Sequence, residues 1–326
     1  MENLVIVGKG LTLGYGKAPK GKVILEDLNF QLKKGEMTCL LGANGVGKST
    51  LIKAILGILK PWKGEIEILG KNLSTLDPAQ IAKKLSVVLT EPFLSGNMTV
   101  KQLVALGRIP HTDWHGKLGN KDYEAISKAL RLTKTQDIQD ERLSEISDGQ
   151  RQKAMIARAL AQDGEIMILD EPTAHLDLVN RFEIMNLLAM IAKEENKSLL
   201  VVTHNLEIAL DTAHQFWILQ KSDSLITGIP EDLVLNGQIN HLFSGDKFSF
   251  NLVKGKLETK REKIEYTIQG PEDLIFWVEK ALQKAGLTKL SSEVQVKKNP
   301  FEILVNQHQF TQIEPFIQYL LRSNQS

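Results

Sequence analysis

Short alternating runs predict strands at residues 4–7, 11–13 and 23–32, the last following a Gly-, Pro- and Lys-rich stretch over 16–21. Residues 37–41 form a continuous apolar run ending in glycine, the pattern of a strand buried on both faces. Leu51, Ile52, Ile55, Leu56 and Leu59 fall on one side of a helix over 48–59, which Pro61 and Gly64 should close before a strand at 65–69. From about 99 to 161 the spacing is predominantly helical, with Gly, His and Pro breaking it between 107 and 119. Strands at 166–169 and 199–203 then bracket an amphipathic helix at 180–193. The order predicts an α/β fold, a mostly parallel sheet interrupted by a helical subdomain over about 92–162.

Beyond about residue 245 Lys, Glu and Gln become more frequent. Strands around 248–259 and 263–268, a helix opened by Pro271, strands at 293–297 and 302–305 and a last helix over about 312–322 predict a small α+β domain. The division expected is therefore 1–245 and 246–326. Leu274, Phe276, Trp277, Val278, Ala281 and Leu282 on the Pro271 helix read as the core of the second domain, and a regulatory or dimer-bridging role for it is a hypothesis.

Composition narrows the class. Hydrophobic residues make up 42% of 326, enough for a substantial core. Forty basic side chains against 39 acidic ones give no basic excess, so a nucleic-acid partner is not expected. The single cysteine, Cys39, excludes an internal disulfide or a cysteine zinc site and lies in an apolar run, as a small buried hydrophobe would. The N-terminus lacks the features of a secretory signal, and no apolar run approaches the ~20 residues of a membrane span. The expectation is a soluble, cytoplasmic chain that reaches a membrane only through other subunits.

Two segments carry phosphate chemistry. Gly42, Ala43, Asn44, Gly45, Val46, Gly47, Lys48, Ser49 and Thr50 match G-x-x-x-x-G-K-[ST], directly after a buried strand and at the start of a helix. Such a loop turns its N–H groups inward around phosphates, and the helix N-terminus adds favourable partial charge. Lys48 should reach the β- and γ-phosphates, and the Ser49 hydroxyl should ligate Mg²⁺. The apolar run 166–169 ends in Asp170 and Glu171. Asp170 is placed to hold Mg²⁺, and Glu171 to polarise an attacking water as general base.

Between these segments lie Ser147, Asp148, Gly149 and Gln150, opening a helix through residue 160. This run closely resembles the LSGGQ signature of ABC ATPases, with Ile146 and Asp148 replacing the consensus Leu and first Gly; Arg151 or the helix end must offset the aspartate's charge. The resemblance covers about residues 4–245. It implies that the signature binds the γ-phosphate of ATP held by a second copy, so that a head-to-tail homodimer encloses two ATP molecules with Mg²⁺. By the same resemblance Asp177 closes the D-loop, His204 is the switch histidine, and Tyr15 stacks on adenine. His175 is left out of the chemistry. The family's usual glutamine after the strand at 86–89 is missing, and Thr90 or Glu91 takes its place; a carboxylate there would engage Mg²⁺.

Within the superfamily, residues 98–100, 106–112, 147–160 and 169–177 look most like ATPases of iron-siderophore, haem or cobalamin importers. The implied partners are ATP, transmembrane permease subunits reached through a groove near 90–110 and, indirectly, a substrate-binding protein. A soluble non-transport ABC ATPase and the ATPase of a split exporter are the alternatives. The cargo is not written in this chain.

Overall fold

The computed structural model describes residues 4–18, 20–89, 97–113, 115–220, 225–243, 248–252, 255–259, 267–290 and 293–323. They fall into two compact units, Met1–Gly245 with Ser249–Leu257, and Asp246–Phe248 with Glu258–Ser326.

The strands of the first unit are β1 (Leu4–Tyr15), β2 (Lys22–Lys33), β3 (Met37–Leu41), β4 (Lys63–Ile68) and β5 (Lys71–Asn72), followed by β6 (Leu85–Val88), β7 (Ile166–Asp170), β8 (Ser198–Val202), β9 (Gln215–Leu219) and β10 (Leu225–Gly228). Its helices include α1 (Lys48–Ile55), α2 (Pro78–Lys84), α3 (Val100–Ala105), α4 (Asn120–Leu132), α5 (Asp148–Ala161), α6 (Leu178–Glu194), α7 (Leu206–Thr212) and α8 (Pro230–Leu235). One sheet runs β10-β9-β3-β8-β7-β6, parallel except at β10, and a second runs β2-β1-β4-β5 with antiparallel pairing. This is the α/β architecture that the sequence predicts.

Alternation along the parallel strands feeds two cores. Met37, Cys39, Leu41, Met167, Leu169, Leu199 and Val201 pack with the residues of α5, α6 and α7. Leu40, Ile166, Ile168, Leu200, Val202 and Trp217 face the other way, against β1, β2 and α1. Burial on both faces is why these strands read as unbroken apolar runs. Burial pushes the Cys39 thiol up to about 12, so it remains a neutral packing group.

Several boundaries differ from the sequence expectation. Residues 4–15 form one strand, not two, because register shifts around residues 8–14 let β1 bend with Gly10 at φ 56°. Helix α1 stops at Ile55, four residues early. Gly57 adopts φ 74°, and the Ile58 and Leu59 N–H groups turn back to the Lys53 carbonyl at 2.9 and 3.0 Å. In the helical region Arg108 is buried, with Nε donating to Asp122 and Nη1 to the Ala161 carbonyl, both at 2.7 Å. It ties the 3-10 turn Leu106–His111 to α4 and α5.

A two-stranded ribbon, β11 (Phe248–Asn251) with β12 (Lys256–Thr259), leads to the sheet of the second unit. That sheet runs β13 (Ile268–Gln269), β14 (Val294–Lys297), β15 (Glu302–Val305) and β16 (His308–Phe310), and two helices, α9 (Glu272–Lys284) and α10 (Ile313–Ser323), complete the unit. Val278, Leu282, Val294, Val296, Ile303, Val305 and Phe316 form its core. Trp277 is not in it. The buried stripe of α9 follows Val278 and Leu282, four apart, so Trp277 lies off that stripe, 59% exposed, with Lys280 Nζ 5.3 Å from its ring centre. Strand β16 has no counterpart in the sequence reading. Among the described residues no helix is long and apolar enough to cross a membrane.

Candidate functional site

The chemistry gathers at the C-terminal ends of three adjacent parallel strands. Val202 of β8 sits beside Leu40 of β3 on one side and Asp170 of β7 on the other. The chain therefore leaves all three strands at one edge, carrying the loop from Gly42, the Asp170–Glu171 pair and His204 within about two strand spacings, ~10 Å.

The loop's shape is set by its backbone. Gly42 has φ 152°, and a Cβ on it would come within 2.6 Å of the Leu219 carbonyl oxygen; Gly47 has φ 115°, and a Cβ there would meet Leu25 Cδ2 at 2.8 Å. Only glycine fits either position. Gly45, at φ 76°, meets nothing and is required for its angle alone. Lys48 opens α1 and folds its Nζ back onto the Gly42 and Ala43 carbonyls at 2.7 and 3.1 Å. Burial draws the Lys48 amine below its ordinary value, while the charges of Glu171 and Asp170 act in the opposite direction.

Asn44 and Ser49 are exposed at the loop, whereas the Val46 and Thr50 side chains are buried, so these two can offer only backbone N–H groups. The Thr50 hydroxyl lies 3.4 Å from the Tyr15 hydroxyl, and 45% of Tyr15 is exposed above it.

Asp170 ends β7 half-buried. Its carboxyl is held above the usual carboxylate range, first by burial and next by the charge of Glu171, with Lys48 opposing. Glu171 turns the chain at φ 49°, its N–H bonded to the Val202 carbonyl at 2.9 Å. His204 Nδ1 lies 2.9 Å from Glu171 Oε2, outside hydrogen-bond geometry, so this solvent-shielded oxygen has no hydrogen-bond partner. A buried carboxylate oxygen with no hydrogen bond, at the same strand edge as the phosphate loop, suits a site that receives a polar group once His204 moves. The His204 side chain is 68% exposed.

The signature segment lies elsewhere on the fold, at the first turn of α5. Ser147 caps that helix, accepting from the Gln150 N–H at 3.2 Å, while the Gln150 side chain accepts from the Ser147 N–H at 2.9 Å. Arg151 Nη1 pairs with Asp148 at 2.9 Å, supplying the counter-charge that the aspartate requires. Asp177 caps α6 through the Asn180 N–H at 2.9 Å.

Thr90 and Glu91, the expected replacements for the family's glutamine, lie outside the described residues. Two supporting side chains escaped the sequence reading. Asn180 packs against Gly149, and Trp62 fills the space beside Gly14 and Gly21, where a Cβ would meet its ring at 2.7 and 2.8 Å. The Asp177-to-Asn180 spacing is a helix-cap signal that could have revealed the first; Trp62 carried none.

Residues 25–174 match the family model for ABC transporters. An uncharacterised ABC transporter ATP-binding protein of Methanocaldococcus jannaschii is 38% identical over 79% of this chain and 87% of its own length. The chain belongs to the ABC transporter ATP-binding family. A Bacillus subtilis protein named as a probable siderophore transport system ATP-binding protein is 36% identical over 72% of this chain and 84% of its own. Among solved structures, an inward-facing ABC transporter assigned to the metal-chelate type superposes with a TM-score of 0.64 at 26% identity, covering 79% of this chain and 96% of that one. This ABC protein is accordingly an ATP-binding subunit and an ATPase.

Proposed function

We propose that this ABC subunit powers an importer of metal chelates, of the iron-siderophore, haem or cobalamin kind, as a homodimer on the inner face of the cell membrane beneath permease subunits fed by a binding protein. The cargo class is supported by the siderophore relative and the metal-chelate structural neighbour. The observation that carries the mechanism is the Glu171–His204 pair, Oε2 to Nδ1 2.9 Å, at the same edge as the phosphate loop.

Gly42 to Thr50 wrap the phosphates with backbone N–H groups, and the Lys48 amine leaves its carbonyl partners for the β- and γ-oxygens. Tyr15 offers its exposed ring to the adenine. Glu171 accepts the proton of the attacking water, and His204 orients that water and the γ-phosphate. Ser147, Asp148, Gly149 and Gln150 of one copy approach the nucleotide held by the other, with Asp177 crossing between them. Because each nucleotide needs both copies, hydrolysis depends on association. The second unit, Asp246–Phe248 with Glu258–Ser326, has a regulatory or dimer-bridging role.

Mg²⁺ fits this edge. Ser49 and Asp170 supply one hydroxyl and one carboxylate, the sparse protein set that a phosphate-bound Mg²⁺ uses, and a cation would offset the burial and the Glu171 charge that raise Asp170. When bound, the ion neutralises charge on the phosphate oxygens.

The test is ATP hydrolysis by the chain with its permease in vesicles. Binding protein loaded with a ferric chelate should stimulate phosphate release over the unloaded form. Glu171→Gln should lower turnover at least ~100-fold while ATP still drives association of two copies. Full turnover by that variant as a dilute monomer would sink the mechanism; stimulation by other cargo classes alone would sink the assignment of cargo.

A further inference from the structure

The first turns of α5 and α6 meet at one side chain. Asp177 accepts the Asn180 backbone N–H at 2.9 Å with one carboxylate oxygen and the Asn180 Nδ2–H at 2.7 Å with the other. Both bonds lower the Asp177 pKa, the backbone one more, so its carboxylate is stably ionised and holds the amide in one orientation. That orientation aims Asn180 Oδ1 at the signature. A Cβ on Gly149 would lie 2.4 Å from Oδ1 and 2.8 Å from Cγ, so Asn180 occupies the place where Gly149 lacks a side chain.

The other hydrogen bonds shaping this turn are local. Those of Ser147, Gln150 and Arg151 stay within residues 143–151. They fix the form of the turn and not its position on the body of the protein. A further tie to α6, Lys153 with Glu183 at 2.7 Å, comes more than one helical turn later.

We propose that Asn180 is a positioning residue that makes the signature turn and the D-loop aspartate one rigid piece. The Asp148 and Gly149 N–H groups then reach the nucleotide of the second copy in a fixed position relative to the D-loop that crosses between the copies. Asn180 itself touches no nucleotide; it acts through Gly149 and Asp177. The small residue in the signature is thereby required on two sides, for phosphate approach outside and for Asn180 inside. The inference rests on the two-copy site proposed above.

The experiment uses the full chain carrying Glu171→Gln, in which ATP-driven association is followed by sedimentation. Adding Asn180→Asp keeps the shape but removes the donor to Asp177 and sets two carboxylates together. We expect association about tenfold weaker, corresponding to a coupling of ordinary size between contacting residues. Affinity of the single chain for ATP should stay within about twofold, because the phosphate loop lies on other strands. Lowering the pH from 7 towards 4.5 should recover part of the loss relative to the Glu171→Gln parent at the same pH, since a proton on the introduced carboxyl restores a donor, a response that a packing defect would not give.

A second pair guards against misfolding. Gly149→Ala collides with Asn180 and should weaken association, but Gly149→Ala with Asn180→Ala should be no weaker than Gly149→Ala alone. Asn180→Asp associating as tightly as its Glu171→Gln parent, or losses in the second pair that simply multiply, would overturn the proposal. If the Glu171→Gln parent stays monomeric with ATP, the two-copy reading fails as well, which separates the two failures.

Discussion

The phosphate loop and the signature turn, proposed to bind the same kind of group, are built from different materials. The loop joins a strand buried on both faces to a helix whose inner side is core, and its shape follows from three glycine angles and from contacts with Leu25 and Leu219. The side-chain hydrogen bonds described across it are those of Lys48 to the Gly42 and Ala43 carbonyls, and the curve is expected to persist without them. The signature turn stands on an exposed helix start, with Ser147 and Asp148 in solvent, and is shaped by side chains. Each such bond contributes about 1 kcal/mol net. On the proposed mechanism, the half of the site that must be ready before nucleotide arrives is fixed by glycine backbone angles and contacts with the core. On the same proposal, the half that arrives with a second copy is held by adjustable polar contacts.

The sharpest way to break this contrast is Lys48→Ala. If the loop is preformed, the substitution leaves its curve intact and removes only charge-assisted hydrogen bonds to phosphate. At about 1.5–3 kcal/mol, that means ATP affinity of the single chain weaker by about 10- to 100-fold, with little change in melting temperature. Fluorescence titration with a nucleotide analogue reads the first and thermal unfolding the second. A large loss of stability would show that Lys48 Nζ, bonded to the Gly42 and Ala43 carbonyls, is a structural clamp and that the loop depends on a side chain after all.

The same contrast explains what the sequence made legible. The loop, Asp170 and Glu171 could be placed because glycine spacing and strand-end positions are backbone matters, which one-dimensional pattern records well, whereas His204 needed the family resemblance. Contacts between elements leave no such trace. That Asn180 would occupy the space beside Gly149, or Trp62 the space beside Gly14, depends on how α6 meets α5 and how the Trp62 segment crosses β1. Nor could the spacing tell that Gly57 would stop α1 before Pro61, since an apolar face continues through Leu59 while the backbone has already turned. Trp277 was assigned to a core for the converse reason: an aromatic on a helix suggests burial, but the stripe is decided by Val278 and Leu282.

On the signature side, Ser147→Ala removes the cap oxygen that receives the Gln150 N–H. A lost cap costs ~1 kcal/mol, so ATP-driven association should weaken about fivefold. Affinity of the single chain for ATP should not move. This is the reverse of the pattern for Lys48→Ala, and sedimentation paired with single-chain titration distinguishes them. Equal effects of Ser147→Ala on both readings would mean that the turn also serves its own copy's nucleotide, and the division between the two halves would fall.

The smallest effect tests whether the ready half stores electrostatic strain. The Asp170 carboxyl is held above its ordinary value by burial and by Glu171, so the nucleotide-free fold binds that proton more tightly than the unfolded chain does. Between the ordinary and the raised value the folded chain binds more protons than the unfolded one, and stability contributed by this group falls as pH rises through that window. At neutral pH the ionised carboxylate therefore works against the nucleotide-free fold. Asp170→Asn removes the charge at nearly constant shape and should raise the melting temperature without nucleotide by ~2 °C, given the usual sensitivity of a chain of this size. The gain should shrink as the pH is lowered towards 4, where the native carboxyl takes up its proton. With ATP and Mg²⁺ the order should invert, because the native carboxylate has a cation to meet and the amide does not. If Asp170→Asn is less stable than the native chain in both conditions, the carboxylate is held by partners that already satisfy it, and the edge that receives nucleotide is relaxed before nucleotide comes.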